Sequence, residues 1–135
     1  MVKDIFVNLP VKDLEKSKDF FTKLGFTFNP QFTDDKAAAL VLGTNIYSML
    51  ITEPFFKTFI KKEIADASKV AECINAIGVE SREKVDEICD KALAAGGTKY
   101  KEPDDYGWMY SRAFEDLDGH LGEVLYTDIS KLPKS

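Results

Sequence analysis

The chain has 135 residues and a composition of 44% hydrophobic, 30% charged and 12% aromatic residues, which suits one globular domain able to bury a real core. Its net charge is −5 with scattered lysines and no basic stripe interleaved with aromatics, so electrostatics give a nucleic-acid partner no support. No apolar run approaches the ~20 residues of a membrane span and no signal-peptide core precedes the first strand pattern, so a cytoplasmic protein without a membrane partner is expected.

Ile5, Val7, Leu9 and Val11 alternate with Phe6, Asn8 and Pro10, the period of a strand whose faces meet different surroundings. Asp13 is placed to cap a helix in which Leu14, Ser17, Phe21 and Leu24 recur at helical spacing, and Gly25 supplies its stop. This helix is expected to pack on the Ile5 to Val11 strand. Phe26, Phe28 and Phe32 alternate with polar residues, Ala37 to Leu42 is a short apolar run, and Ile46 to Ile51 reads as another strand.

Residues 54–72 have the length and mixed polarity of a linker with a turn or two of helix, yet Phe55, Phe56 and Phe59 are too apolar for a loose tether and are expected to cover a pocket or an interface. A second helix is predicted over Ser81 to Ala95, with Val85, Ile88, Cys89 and Ala92 as its apolar stripe. Short strands are predicted near Thr98 to Lys101, Gly107 to Phe114 and Leu121 to Tyr126.

The order β-α-β-β-β is thus read twice, and the sequence repeats with it. DGHLGEVLYTD at 118–128 lies without a gap on GTNIYSMLITE at 43–53, and INAIGVESREK at 74–84 lies on FVNLPVKDLEK at 6–16. Module one is expected over 1–53, the linker over 54–72, module two over 73–128 and a tail over 129–135, all in a single domain. The repeat makes Phe6, Ser48, Ile74 and Glu123 equivalent positions.

Cys73 and Cys89 are too few and too far apart for a zinc knuckle or a redox pair, and read as reduced thiols. His120 is the sole histidine. Three residues from Glu123 on an extended chain, it would point to the opposite face, so the two do not form a simple acid–base pair there. No Ser-His-Asp set and no phosphate-binding loop is evident.

The β-α-β-β-β repeat, V-x-D-L-x-x-S at Val11–Ser17, D-x-D-G-H-x-x-E at Asp116–Glu123 and the A-A-G-G helix end at Ala94–Gly97 together resemble the vicinal oxygen chelate superfamily, which includes glyoxalase I, bleomycin-resistance proteins and extradiol dioxygenases. The resemblance implies an α+β fold in which two tandem modules form an open, cup-shaped mixed sheet with helices outside. It also implies a homodimer, and in the enzymes a divalent metal held by side chains from the first and last strand of each module. Carried over residue by residue, the ligand positions fall on Phe6, Ser48, Ile74 and Glu123, of which only Glu123 is a good ligand. Phenyl and sec-butyl groups offer no lone pair and a serine hydroxyl is a poor donor, so no tightly held metal and no cofactor are expected.

If Glu123 faces the cup, period two brings Leu121 and Leu125 with it and the repeat brings Ile46, Ser48 and Leu50, beside Phe6, Asn8 and Ile74. Such a lining suits a small, partly hydrophobic ligand. Glu123 is the candidate catalytic residue, as a base or as the partner of a cationic ligand. Trp108, Tyr110 and Arg112 share one face of an extended segment with Phe114. Facing the cup they would stack on and anchor a ligand, and facing the other way they would pack on a helix or a partner chain. The expected function is small-molecule binding without a tightly held metal. The alternative is a lyase or isomerase of the glyoxalase I type, metal-dependent or using metal-free proton transfer by Glu123, and an extradiol dioxygenase is disfavoured by the loss of both histidines.

Overall fold

The computed structural model describes residues 1–133 and folds them as two compact units, Met1–Asp66 and Ala67 onward. In the first unit, β1 (Ile5–Val11), α1 (Leu14–Lys23), β2 (Thr27–Asn29), β3 (Ala37–Gly43) and β4 (Ile46–Thr52) follow one another, and α2 (Glu53–Lys57) comes directly after β4. The second unit holds β5 (Ile74–Gly78), α3 (Arg82–Ala94), the two-residue strands β6 (Thr98–Lys99) and β7 (Asp104–Asp105), and then β8 (Met109–Glu115) and β9 (Leu121–Thr127). Both units are open mixed sheets with a helix on one face, in the repeated order the sequence predicts, except that the second carries the additional short strand β7.

The sheet of the first unit runs β1-β4-β3-β2 and that of the second β5-β9-β8-β6, with β7 also pairing β8. In each, the first strand pairs in parallel with the last, across a connection long enough to include a helix. Asp13 caps α1 by accepting from the Lys16 amide at 3.1 Å, and Ser81 caps α3 by accepting from the Lys84 amide at 3.1 Å.

The apolar periods choose the helix-covered faces. Leu9, Val11, Leu14, Ala38 and Leu50 form the buried centre of the first unit, with Val7, Phe21 and Phe28 packed against it. In the second unit Val85, Ile88, Cys89 and Ala92 line the buried side of α3, and Phe114 and Val124 are the buried residues of the sheet face beneath it. Each fully buried Leu or Phe side chain stabilises its unit by about 1.5–3 kcal/mol through area removed from water.

Two predicted strands are shorter than expected. Beyond Asn29 the chain enters a 3-10 turn at Pro30–Phe32, where the proline ring presets the turn and the Asn29 side chain accepts from the Gln31 amide at 2.9 Å. Beyond Lys99 pairing stops, resumes at Asp104, and leaves 100–103 as an excursion from the sheet edge.

Candidate functional site

Strand register decides which of the candidate side chains share a surface. In the parallel pair β1–β4, Phe6 pairs with Tyr47 and Asn8 with Met49, while Val7 pairs with Ser48 and Leu9 with Leu50. Side chains directly paired across a sheet share a face, so Phe6, Asn8, Tyr47 and Met49 occupy the open face and Ser48 and Leu50 the helix-covered face. Leu50 is wholly buried in the core, and the buried Ser48 hydroxyl donates to the Val7 carbonyl at 3.0 Å. Ser48 and Leu50 are thus brought together with the core, away from Phe6 and Asn8. The Phe6 ring stacks on Tyr47 at 4.9 Å with 12° between the planes.

In the second unit Ile74 pairs with Leu121 and Ala76 with Glu123, while Arg112 pairs with Val124 and Tyr110 with Tyr126. Ile74 and Glu123 therefore share the open face, opposite Val124, Tyr110 and Arg112. Matching Phe6 to Ile74 then makes Met49, one position beyond Ser48, the open-face counterpart of Glu123. An alignment slip of one residue is enough to exchange faces, because the side-chain period of a strand is two.

Tyr110 and Arg112 engage α3. The Tyr110 hydroxyl donates to Asp86 Oδ1 at 2.7 Å, and Arg112 Nη1 donates to Asp86 Oδ1 at 3.0 Å and to Asp90 Oδ1 at 2.9 Å. These donors, the Tyr110 hydroxyl foremost, hold the Asp86 carboxyl below its ordinary value. Burial, and then the bond to Asp86, push the Tyr110 phenol up to about 12. Arg82 extends the network by a two-point pair with Asp105 at 2.9 Å and by placing its guanidinium 5.0 Å from the Tyr110 ring centroid. Trp108 lies just before β8, tilted against Tyr106 with centroids 6.0 Å apart, and its carbonyl accepts from the Asp128 amide at 2.7 Å.

The first unit contains a cavity of about 460 Å³ on the open face of its sheet. Asn8, Ala37, Met49 and Ile51 form its floor, and Phe55, Phe56, Phe59 and Ile60 from α2 and the turn after it close it. Pro54 at the first turn of α2 starts that helix directly beyond β4, which brings the phenylalanines back over the sheet. Phe55 and Phe59 meet edge to face at 4.9 Å, and Lys36 Nζ stands 5.6 Å from the Phe55 centroid. Asn8, whose Nδ2 donates to the Phe6 carbonyl at 3.3 Å, is the polar side chain in an otherwise apolar lining. The phenylalanine-rich segment signalled this cavity in the sequence, whereas Met49, Ala37 and Ile51 could be assigned to it only from the register.

Glu123 is half-buried and makes no ion pair or side-chain hydrogen bond among the described residues. The nearby cation is Lys101, held above its ordinary value by its bond to Asp104 at 2.7 Å and, more weakly, by the Glu123 charge.

As for a metal, the open-face positions of the first and last strands offer Phe6, Tyr47 and Met49 in one unit and Ile74 and Glu123 in the other, and neither set by itself fits a divalent ion. Asp116, Asp118 and His120 place potential ligand atoms within 4.8 Å of one another at the turn before β9. There, however, Asp116 Oδ1 already accepts from the amides of Asp118 and His120, both at 2.9 Å, which is the chemistry of a turn clamp.

Two repeated β-α-β-β-β units, each an open mixed sheet pairing its first strand with its last, define the class: the chain has the fold of the glyoxalase and bleomycin-resistance proteins of the vicinal oxygen chelate superfamily. Residues 3–43 match the bleomycin resistance protein-like N-terminal family. A hypothetical protein from S. aureus, SA1046, is 32% identical over 93% of this chain and 95% of its own, with a TM-score of 0.78. A glyoxalase-related enzyme from Fulvimarina pelagi shares the fold at 18% identity and a TM-score of 0.80 over 96% of this chain and 91% of its own. So does TnmS3, an antibiotic binding protein from Streptomyces sp. CB03234, at 18% identity and a TM-score of 0.66 over 94% and 97%. No protein among the curated sequences matches the chain. Among the described residues, no helix is long and apolar enough to cross a membrane.

Proposed function

We propose that this protein binds a small, partly hydrophobic molecule in the cavity of its first unit, without a tightly held metal. The observation that carries this reading is the 460 Å³ hollow roofed by Phe55, Phe56 and Phe59, a size and lining suited to a small ligand oriented by the Asn8 carboxamide. The likeness to an antibiotic binding protein supports sequestration as its purpose. We extend the same reading to a homodimer in the cytoplasm, which light scattering and cell fractionation test.

N-phenyl-1-naphthylamine, a neutral apolar dye, tests the cavity. Its fluorescence is expected to rise saturably with the wild-type protein and to stay flat with Ala37→Phe, which fills the floor, while circular dichroism confirms that the variant is folded. Equal responses from the two proteins, or none from either, would discard the reading.

Glu123, half-buried and without an ion pair among the described residues, supports a second reading, a lyase or isomerase step in which this carboxylate moves a proton without a metal. Glu123→Gln removes the base at constant shape. Any carbonyl-isomerising activity found in the wild type must then fall by at least about 100-fold, the low end of what a positioned base contributes, or the assignment fails.

A further inference from the structure

A second hollow lies on the helix side of the second unit, and no role discussed above uses it. Its origin is the interruption of the sheet edge: β6 pairs Lys99 with Phe114, β7 pairs Asp104 with Ser111, and Arg112 and Ala113 are left opposite the 100–103 excursion. The excursion bows away and leaves about 340 Å³ between itself, β8 and α3. Cys89 and Leu93 of α3, Phe114 of β8, and Pro103 give this space apolar walls.

Its polar groups are chiefly cations. Lys99, Lys101 and Arg112 line the space against one acid, Glu102, in a chain whose net charge is −5. Lys99 pairs with Glu102 at 2.6 Å and Lys101 with Asp104 at 2.7 Å, but the two lysine side chains are 54% and 47% exposed. Exposed pairs of this kind contribute little to stability and exchange partners readily. Arg112 is more deeply set, with its side chain 19% exposed, and the contacts with Asp86 and Asp90 both fall on Nη1. Those contacts fix the guanidinium at the wall of the space. Beside Arg112, Tyr110 adds a ring whose hydroxyl is engaged by Asp86. Burial pushes the Cys89 thiol up to about 11, so at neutral pH it is an uncharged wall and a poor nucleophile.

We infer that this hollow is a binding site for a small carboxylate with an apolar body, the carboxylate meeting Lys99, Lys101 and Arg112 and the body lying against Leu93, Pro103 and Phe114. The assignment is independent of the cavity in the first unit.

Phenylacetate and its uncharged isostere phenylacetamide test it on protein carrying 13C-labelled Ala and Leu methyl groups. Phenylacetate is expected to shift the Leu93 methyl signals saturably, and phenylacetamide to bind at least about tenfold more weakly, as loss of a charge-assisted bond requires. Lys99→Glu combined with Lys101→Glu changes only exposed positions, so the fold is retained, and it should weaken phenylacetate by a similar factor. Ala37→Phe should leave that affinity unchanged. The inference is overturned if no saturable shift of these methyls occurs, if acid and amide bind alike, if the charge reversals have no effect, or if the shifts fall on Ala37 and vanish in Ala37→Phe.

Discussion

Gly122 lies directly under the ring of Phe114: a Cβ added to Gly122 would stand 2.8 Å from Cζ and 3.1 Å from each Cε. The two residues pair across β8 and β9 on the helix-covered face, where Phe114 is buried against α3. The glycine thus makes the recess that lets an aromatic ring lie flat on the sheet. Gly122→Ala is expected to cost about 1–3 kcal/mol by overpacking, read as a lower urea midpoint. In a Phe114→Leu background the same change should cost markedly less. Equal costs in both backgrounds would show that the ring is not the obstacle.

Gly119 is constrained more tightly. Its φ is +88°, and a Cβ there would meet the Ser68 Cα and N, both at 2.8 Å, which are backbone atoms unable to swing aside. Gly119→Ala should therefore destabilise by at least about 2 kcal/mol, combining left-handed strain with the clash. Asp116, in the same D-x-D-G-H turn, is buried and clamps two amides with one oxygen. Burial pushes its carboxyl up, opposed chiefly by His120. Asp116→Ala should cost about 1–3 kcal/mol by orphaning those amides, and Asp116→Asn, which keeps an acceptor, should cost less. The two variants are compared by chemical denaturation.

The two cysteines are expected to differ in reactivity. Cys73 is exposed and Cys89 buried, so a disulfide reagent at pH 8 should label one thiol in the native protein and the second only after unfolding. Rapid labelling of both would show that α3 opens locally.

Alkaline pH should weaken the fold through the same thiol. Cys89 is raised from 9.0 to about 11 and Tyr110 from 10.0 to about 12, so over those intervals the unfolded chain loses protons that the folded chain keeps. Deprotonation then favours unfolding, and this part of the stability, intact below pH 9.0, is lost as pH rises toward about 11 and 12. Melting temperatures measured across this range should fall, and Cys89→Ala should flatten the first part of the decline.

Metal retention follows from donor chemistry. Untagged protein dialysed against nickel, zinc, manganese or ferrous iron and then passed through a desalting column should hold far less than one ion per chain by elemental analysis, because the strand positions offer Phe6, Tyr47 and Met49 in the first unit and only Ile74 and Glu123 in the second. Near-stoichiometric retention would refute this reading of the donor set.

The helices and long strands were legible in the sequence because period two in Ile5–Val11, helical spacing in Val85–Ala92 and the caps Asp13 and Ser81 are local properties of the chain. The repeat and the motifs D-x-D-G-H and V-x-D-L-x-x-S carried the resemblance to the superfamily's fold, and Phe55, Phe56 and Phe59 announced that the linker covers something. Facing was harder. Tyr110 and Arg112 satisfied both readings until Asp86 and Asp90 of α3 claimed their donors, and Ser48 was matched to Glu123 by an alignment one residue from the open-face partner, Met49. The sequence by itself determined the elements, their order and the poverty of metal ligands, since these depend on residue type and short-range spacing. Which side chains meet on one surface was decided only in the tertiary structure, because hydrogen-bond register between strands far apart in the chain selects one face of each, and a shift of a single residue exchanges them.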